Sequence, residues 1–175
     1  MKKLVTLFSV LAILTTPALA FETEDIGKIT AIFGGETITQ PTVLAKQGGK
    51  SSGTAFLTVL GGGMSSLSVA GYSLDNKRIG IDMSFMAVQP GPKTAPLDLT
   101  ITYSPKGNKE HWTSEDAPTP AKITFTTLET KGKEGRAAGT FKALLCYAKD
   151  HRSGADTKNC RPIEGSFETK LFAEK

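Results

Sequence analysis

Ile79-Gly80-Ile81-Asp82-Met83-Ser84-Phe85-Met86-Ala87 carries Ile79, Ile81, Met83, Phe85 and Ala87 at its odd positions, with Gly80, Asp82 and Ser84 between the first four. A strict period of two puts alternate side chains on opposite faces of a strand, one toward a core and one toward water. Leu97, Leu99, Ile101 and Tyr103 repeat the pattern around Asp98, Thr100 and Thr102, and Ile123 and Phe125 alternate with Thr124 and Thr126. One dry face and one wet face are the mark of antiparallel sheets.

Outward from these segments, the same residue chemistry predicts strands at Lys28–Phe33, Glu36–Thr39, Gly53–Leu60, Ser66–Tyr72, Ala138–Ala148 and Ile163–Phe172. Thr, Val, Ile and Phe are favoured there because they pack well on a pleated surface. Asp75-Asn76 supplies a tight turn between two of the strands. Gly48 to Gly53 and Gly61-Gly62-Gly63 read as flexible breaks, and Pro105 to Pro120 as a polar loop. Gln89 to Pro96 holds three prolines without ladder donors and is excluded as an inner strand. Beyond the first twenty residues, no long segment has helical periodicity. The expected fold is all-β: a single, mostly antiparallel β-sandwich of about eight or nine strands, with a closed lipocalin-like barrel as the alternative.

The N-terminus reads as an address. Met1-Lys2-Lys3 is positive, Leu4 to Leu14 is mostly apolar, and Thr15-Thr16-Pro17-Ala18-Leu19-Ala20 ends in Ala-x-Ala. This is the layout of a secretory signal peptide, here cut after Ala20, and the apolar run falls short of the ~20 residues that span a bilayer. Residues 21–175 then form one exported domain, periplasmic or secreted, with no stable membrane insertion. Loss of Lys2 and Lys3 takes the basic count from 21 to 19 against 17 acids, so the net charge of +4 falls to +2. No block of like charge and no interleaving of basic with aromatic residues remains, which argues against nucleic acid as a partner.

Cys146 and Cys160 are expected to form a disulfide, since the compartment is oxidising and their spacing fits neither a C-x-x-C motif nor a zinc site. With the two cysteines opposed in the last hairpin, Ala143 faces Ile163, Phe141 faces Gly165, Gly139 faces Phe167 and Lys142 faces Glu164. Each Phe then covers a Gly, and a Lys meets a Glu.

Chemistry-bearing residues are few. His151, Ser153 and Asp156 lie in one polar loop, whereas triad members normally converge from separate segments. Glu115 and Asp116 are adjacent and would diverge, and no D-x-D-x-D loop supports calcium. Lys50-Ser51 lacks the phosphate-loop spacing, and Met64, Met83 and Met86 are too scattered for copper. No metal or cofactor is expected. Trp112 either stacks on a sugar ring or folds back over the end of the sandwich, and the packing role is preferred. The candidate ligand-binding residues are Tyr103, His111 and Trp112 at that end, followed by Lys149, His151 and Arg152 in the basic loop.

The order of the Leu97–Tyr103 strand, Trp112, Ile123-Thr124-Phe125-Thr126, Gly139-Thr140-Phe141 and Ile163-Glu164-Gly165-Ser166-Phe167 resembles small exported bacterial β-sandwich domains of uncharacterised function. That resemblance implies a sandwich and carries over no catalytic residue. The chain departs from the pattern in lacking a lipobox Cys and in adding Cys146 and Cys160. The expected function is non-enzymatic binding of a protein, a glycan or a small molecule, or a structural role. A lipocalin-like carrier of an apolar ligand is the alternative, and a cryptic hydrolase ranks last.

Overall fold

The computed structural model describes residues 22–47, 50–73, 75–130, 134–150 and 153–174; the signal-peptide reading of residues 1–20 lies outside them. Eleven strands form the fold: β1 (Glu22–Phe33), β2 (Glu36–Gln47), β3 (Lys50–Gly53), β4 (Ala55–Val59), β5 (Ser65–Tyr72), β6 (Arg78–Phe85), β7 (Asp98–Asn108), β8 (His111–Thr113), β9 (Lys122–Glu129), β10 (Glu134–Ala148) and β11 (Asp156–Glu174). The chain is all-β, as alternation predicts, with more strands than the eight or nine expected.

The strands hydrogen-bond in the order β3-β2-β1-β11-β4-β5-β6-β7-β8-β10-β9, and β10 also pairs with β11. They make one sheet whose pairings run in a circuit, β11-β4-β5-β6-β7-β8-β10 and back to β11; its two sides, β3-β2-β1-β11-β10-β9 as first layer and β4-β5-β6-β7-β8 as second, face each other in a sandwich-like arrangement. The layers join on one side where β4 runs parallel to the end of β11 (Phe56 opposite Phe172), and on the other where β8 pairs with β10 (Thr113 opposite Cys146). Every pairing other than β4–β11 is antiparallel.

The inward set of β6 is the one read from the sequence: Ile79, Ile81, Met83 and Phe85 are buried, opposite Tyr103, Ile101, Leu99 and Ser65 on the neighbouring strands. They meet the other layer ring to ring. Phe33 of β1 packs edge-on against Tyr103 and Trp112 at 5.1 and 5.2 Å, and Phe85 lies 6.4 Å from Phe125 of β9. Each such side chain, fully buried, contributes about 1.5–3 kcal/mol. The core is thus filled by interdigitated side chains of both layers.

The last hairpin has the predicted register throughout: Phe141 opposes Gly165, Gly139 opposes Phe167, Lys142 opposes Glu164, and Cys146 opposes Cys160 in a disulfide. Two loop expectations need correction. Pro105 to Pro120 is not one loop, because β7 continues to Asn108 and His111-Trp112-Thr113 is a strand between β7 and β10. The break at Gly48 to Gly53 contains β3, which pairs with the end of β2. Gly61-Gly62-Gly63 forms a single 3-10 turn, and Gln89 to Pro96 stays free of strand.

Candidate functional site

The residues that alternate with the core set of β6 and β7 share the outer face of the second layer. Register sorts them into rows: Arg78 opposite Ser104, Gly80 opposite Thr102, and Asp82 opposite Thr100. On β8, Thr113 stands opposite Thr102, and His111 Nδ1 lies 3.2 Å from the Ser104 hydroxyl. The result is a groove of about 630 Å³ with these side chains on its floor and Tyr72, Asn76, Lys106, Lys109 and Glu115 around its rim.

Gly80 stands in the middle row. A β-carbon there would come within 2.6 Å of the Thr102 hydroxyl and 3.4 Å of Asp82 Oδ2, so the glycine makes room for these two polar groups to sit side by side over the strand. Asp82 is fixed by the Ser68 hydroxyl, which donates to Oδ1 at 2.6 Å. Arg78 lies over the Tyr72 ring, 5.3 Å from its centroid, a cation–π arrangement that steadies both. Groups mounted on strands in this way are held more rigidly than groups on loops.

At the upper end the β5–β6 connection touches the end of β7. Asn76 and Gly107 both take left-handed backbone angles, and Asn76 lies against Gly107. In the β5–β6 connection the Lys77 ammonium, with the Ser73 hydroxyl, holds the Asp75 carboxyl down to about 2. Across the β7–β8 turn, Lys106 bonds Glu110 at 2.8 Å, and Glu110 accepts from the Trp112 indole N–H at 3.1 Å. The ammonium first and the indole second hold Glu110 below its ordinary value, and Glu110 in turn raises the Lys106 ammonium.

The residues nominated from the sequence do not share one surface. Tyr103 and Trp112 point into the core, 5% and 3% exposed. Tyr147 packs edge-on against the indole at 5.5 Å, Arg161 covers it at 5.0 Å, and burial raises the Tyr103 phenol. Trp112 therefore occupies the packing position. His111, one residue away on the same strand, faces the groove. Lys149 is exposed one residue beyond Ala148, which pairs with His111. His151 and Arg152 lie outside the described residues. Glu115 sits at the rim, and Asp116 takes a left-handed turn conformation beside it.

Sequence reading passed over Arg78, Asp82, Thr100, Thr102, Ser104 and Thr113. Their alternation marks them as outward-facing, but only strand register shows that they line one trough. Among the described residues, no three His, Cys, Asp or Glu side chains converge into a metal-ligating group. Comparison with protein-family models, with curated proteins and with solved structures finds no match for this chain.

Proposed function

We propose that the protein is an exported, non-catalytic binding module whose β6–β7–β8 groove takes an acidic oligosaccharide. The observation that carries this reading is the three-row register of Arg78–Ser104, Gly80–Thr102 and Asp82–Thr100. It aligns a cation, a run of hydroxyls and an acceptor carboxylate along one rigid trough. Sugar hydroxyls need donors and acceptors in alternation, and a sugar carboxylate needs the guanidinium. The exposed Tyr72 beside Arg78 adds an aromatic surface at the rim.

Export is supported by the N-terminal sequence and by the disulfide, a bond that persists in oxidising compartments. Among the described residues, no helix is long and apolar enough to cross a membrane. The surface groove is favoured over an internal carrier site because the fully buried Ile29, Ile79, Ile81, Phe85 and Leu145 occupy the interior.

Calorimetric titration of the mature protein with oligogalacturonate and with a neutral maltooligosaccharide tests the reading. Binding of the acidic sugar that is weakened roughly tenfold by Arg78→Ala supports it. Absence of binding, or binding indifferent to Arg78→Ala, overturns it.

A further inference from the structure

Strand β9 ends the sheet and, among the described residues, pairs only with β10. It is an eight-residue edge, Lys122-Ile123-Thr124-Phe125-Thr126-Thr127-Leu128-Glu129, without a proline. An unpaired edge of this kind is a template for another strand. Its limits are set by Pro120 just before it and by Thr130 just after, whose hydroxyl donates to the Pro90 carbonyl at 3.1 Å.

The octet is complementary to itself. Laid antiparallel against a second copy, Lys122 meets Glu129, Ile123 meets Leu128 and Thr124 meets Thr127, and Phe125 meets Thr126 as the one unlike pair at the centre. In a regular strand that alignment fails, because an odd offset puts paired residues on opposite faces. Here the β9–β10 ladder contains a bulge: Thr127 opposes Ala138 and Phe125 opposes Gly139, leaving Thr126 as the extra residue. The slip reverses the phase halfway along. Ile123 and Phe125 before it, and Leu128 after it, all pack toward the core, while Lys122 and Glu129 are both exposed. The bulge falls at the centre of the octet, where the two-fold axis of such a pair would lie.

Charge favours the same partner. Lys122 lies opposite another cation, Lys142, which has Glu164 on its far side, while Glu129 lies opposite Arg136. A copy's Glu129 on its open side offsets that repulsion. We infer that β9 is a homodimerisation edge, through which two copies of this chain join their first layers into one continuous antiparallel sheet. The inference is independent of the groove, which lies on the other layer.

Sedimentation velocity of the mature chain, from low micromolar to near millimolar concentration, tests it with exposed charge reversals that leave the core untouched. The wild type is expected to dimerise. Lys122→Glu and Glu129→Lys should each weaken the dimer roughly tenfold or more, since each makes two attractive pairs repulsive. The double reversal should restore it. Amide exchange along β9 should slow as concentration rises. A monomer at every concentration, a dimer indifferent to both single reversals, or a double reversal that restores nothing overturns the inference.

Discussion

Phe141 lies directly opposite Gly165 across the β10–β11 ladder, with the tip of its ring 2.9 Å from where a β-carbon on Gly165 would stand. On the other side the Thr30 carbonyl of β1 approaches that point to 2.3 Å. The glycine lets an aromatic ring and a neighbouring backbone close over the same spot at the centre of the first layer. Gly165→Ala must displace one of them, and the nearer is backbone. Overpacking of this kind costs about 3 kcal/mol, and thermal unfolding should show Tm lowered by roughly 8 °C. An unchanged Tm would mean that the layers are looser than described.

The Cys146–Cys160 bond clamps the loop end of the same hairpin. Replacing both cysteines by serine removes the constraint on a loop of about fifteen residues, for which chain entropy gives ~3 kcal/mol. Denaturant unfolding should show the midpoint falling with little change in slope. The native protein should show no reactive thiol under denaturing, non-reducing conditions.

Trp112 is set among Phe33, Tyr147 and Arg161, with its N–H on Glu110. Trp112→Ala should cost about 3–5 kcal/mol through the cavity it leaves. The effect should appear in the melting curve. Trp112→Phe, which keeps most of the ring contact, should recover more than half of that loss.

Glu110 links Lys106 of the groove rim to the buried indole. Its folded-state pKa is depressed below the ordinary 4.5, first by Lys106 and then by Trp112. A depressed carboxyl contributes stability that is present above its unfolded pKa and lost as pH falls through its folded one. Because the Lys106 partner is largely exposed, Glu110→Gln should destabilise by under about 1 kcal/mol near neutral pH. The difference between the two proteins should shrink as pH falls below 4.5. A gap that widens in acid would reverse the assigned sign.

Alternation and pairing chemistry made much of the fold legible. The inward face of β6, that of β7 from Leu99 to Tyr103, and the β10–β11 register as far as Cys146 follow from residue order alone, because each Phe needed a Gly and Lys142 a Glu. Leu97, read as inward, instead precedes β7 and is exposed. Strand ends were harder to read. The strand expected to end at Thr39 runs on to Gln47 through Pro41, which lies beyond the reach of β3, since β3 pairs only from Leu44 onward. Pro105 likewise follows the last β6–β7 pair at Ser104. The strand β8 has three residues, all buried between β7 and β10, too few to display a period. That strand also explains the site. His111 and Trp112 are neighbours in sequence but point to opposite faces, so the surface imagined around both resolves into a core indole and a groove imidazole. Nothing local signals that Arg78, Thr102 and Thr113 share a trough.

Titration of the isotope-labelled mature protein with oligogalacturonate, followed through its backbone amide spectrum, is the sharpest test of the proposed binding of an acidic oligosaccharide in the β6–β7–β8 groove. The largest shifts should fall on Arg78, Gly80, Thr100, Thr102, Ser104 and Thr113, and should weaken with added salt. A spectrum that does not respond, or shifts gathered instead around Thr30, Thr140 and Ser166 on the outer face of the other layer, would contradict it.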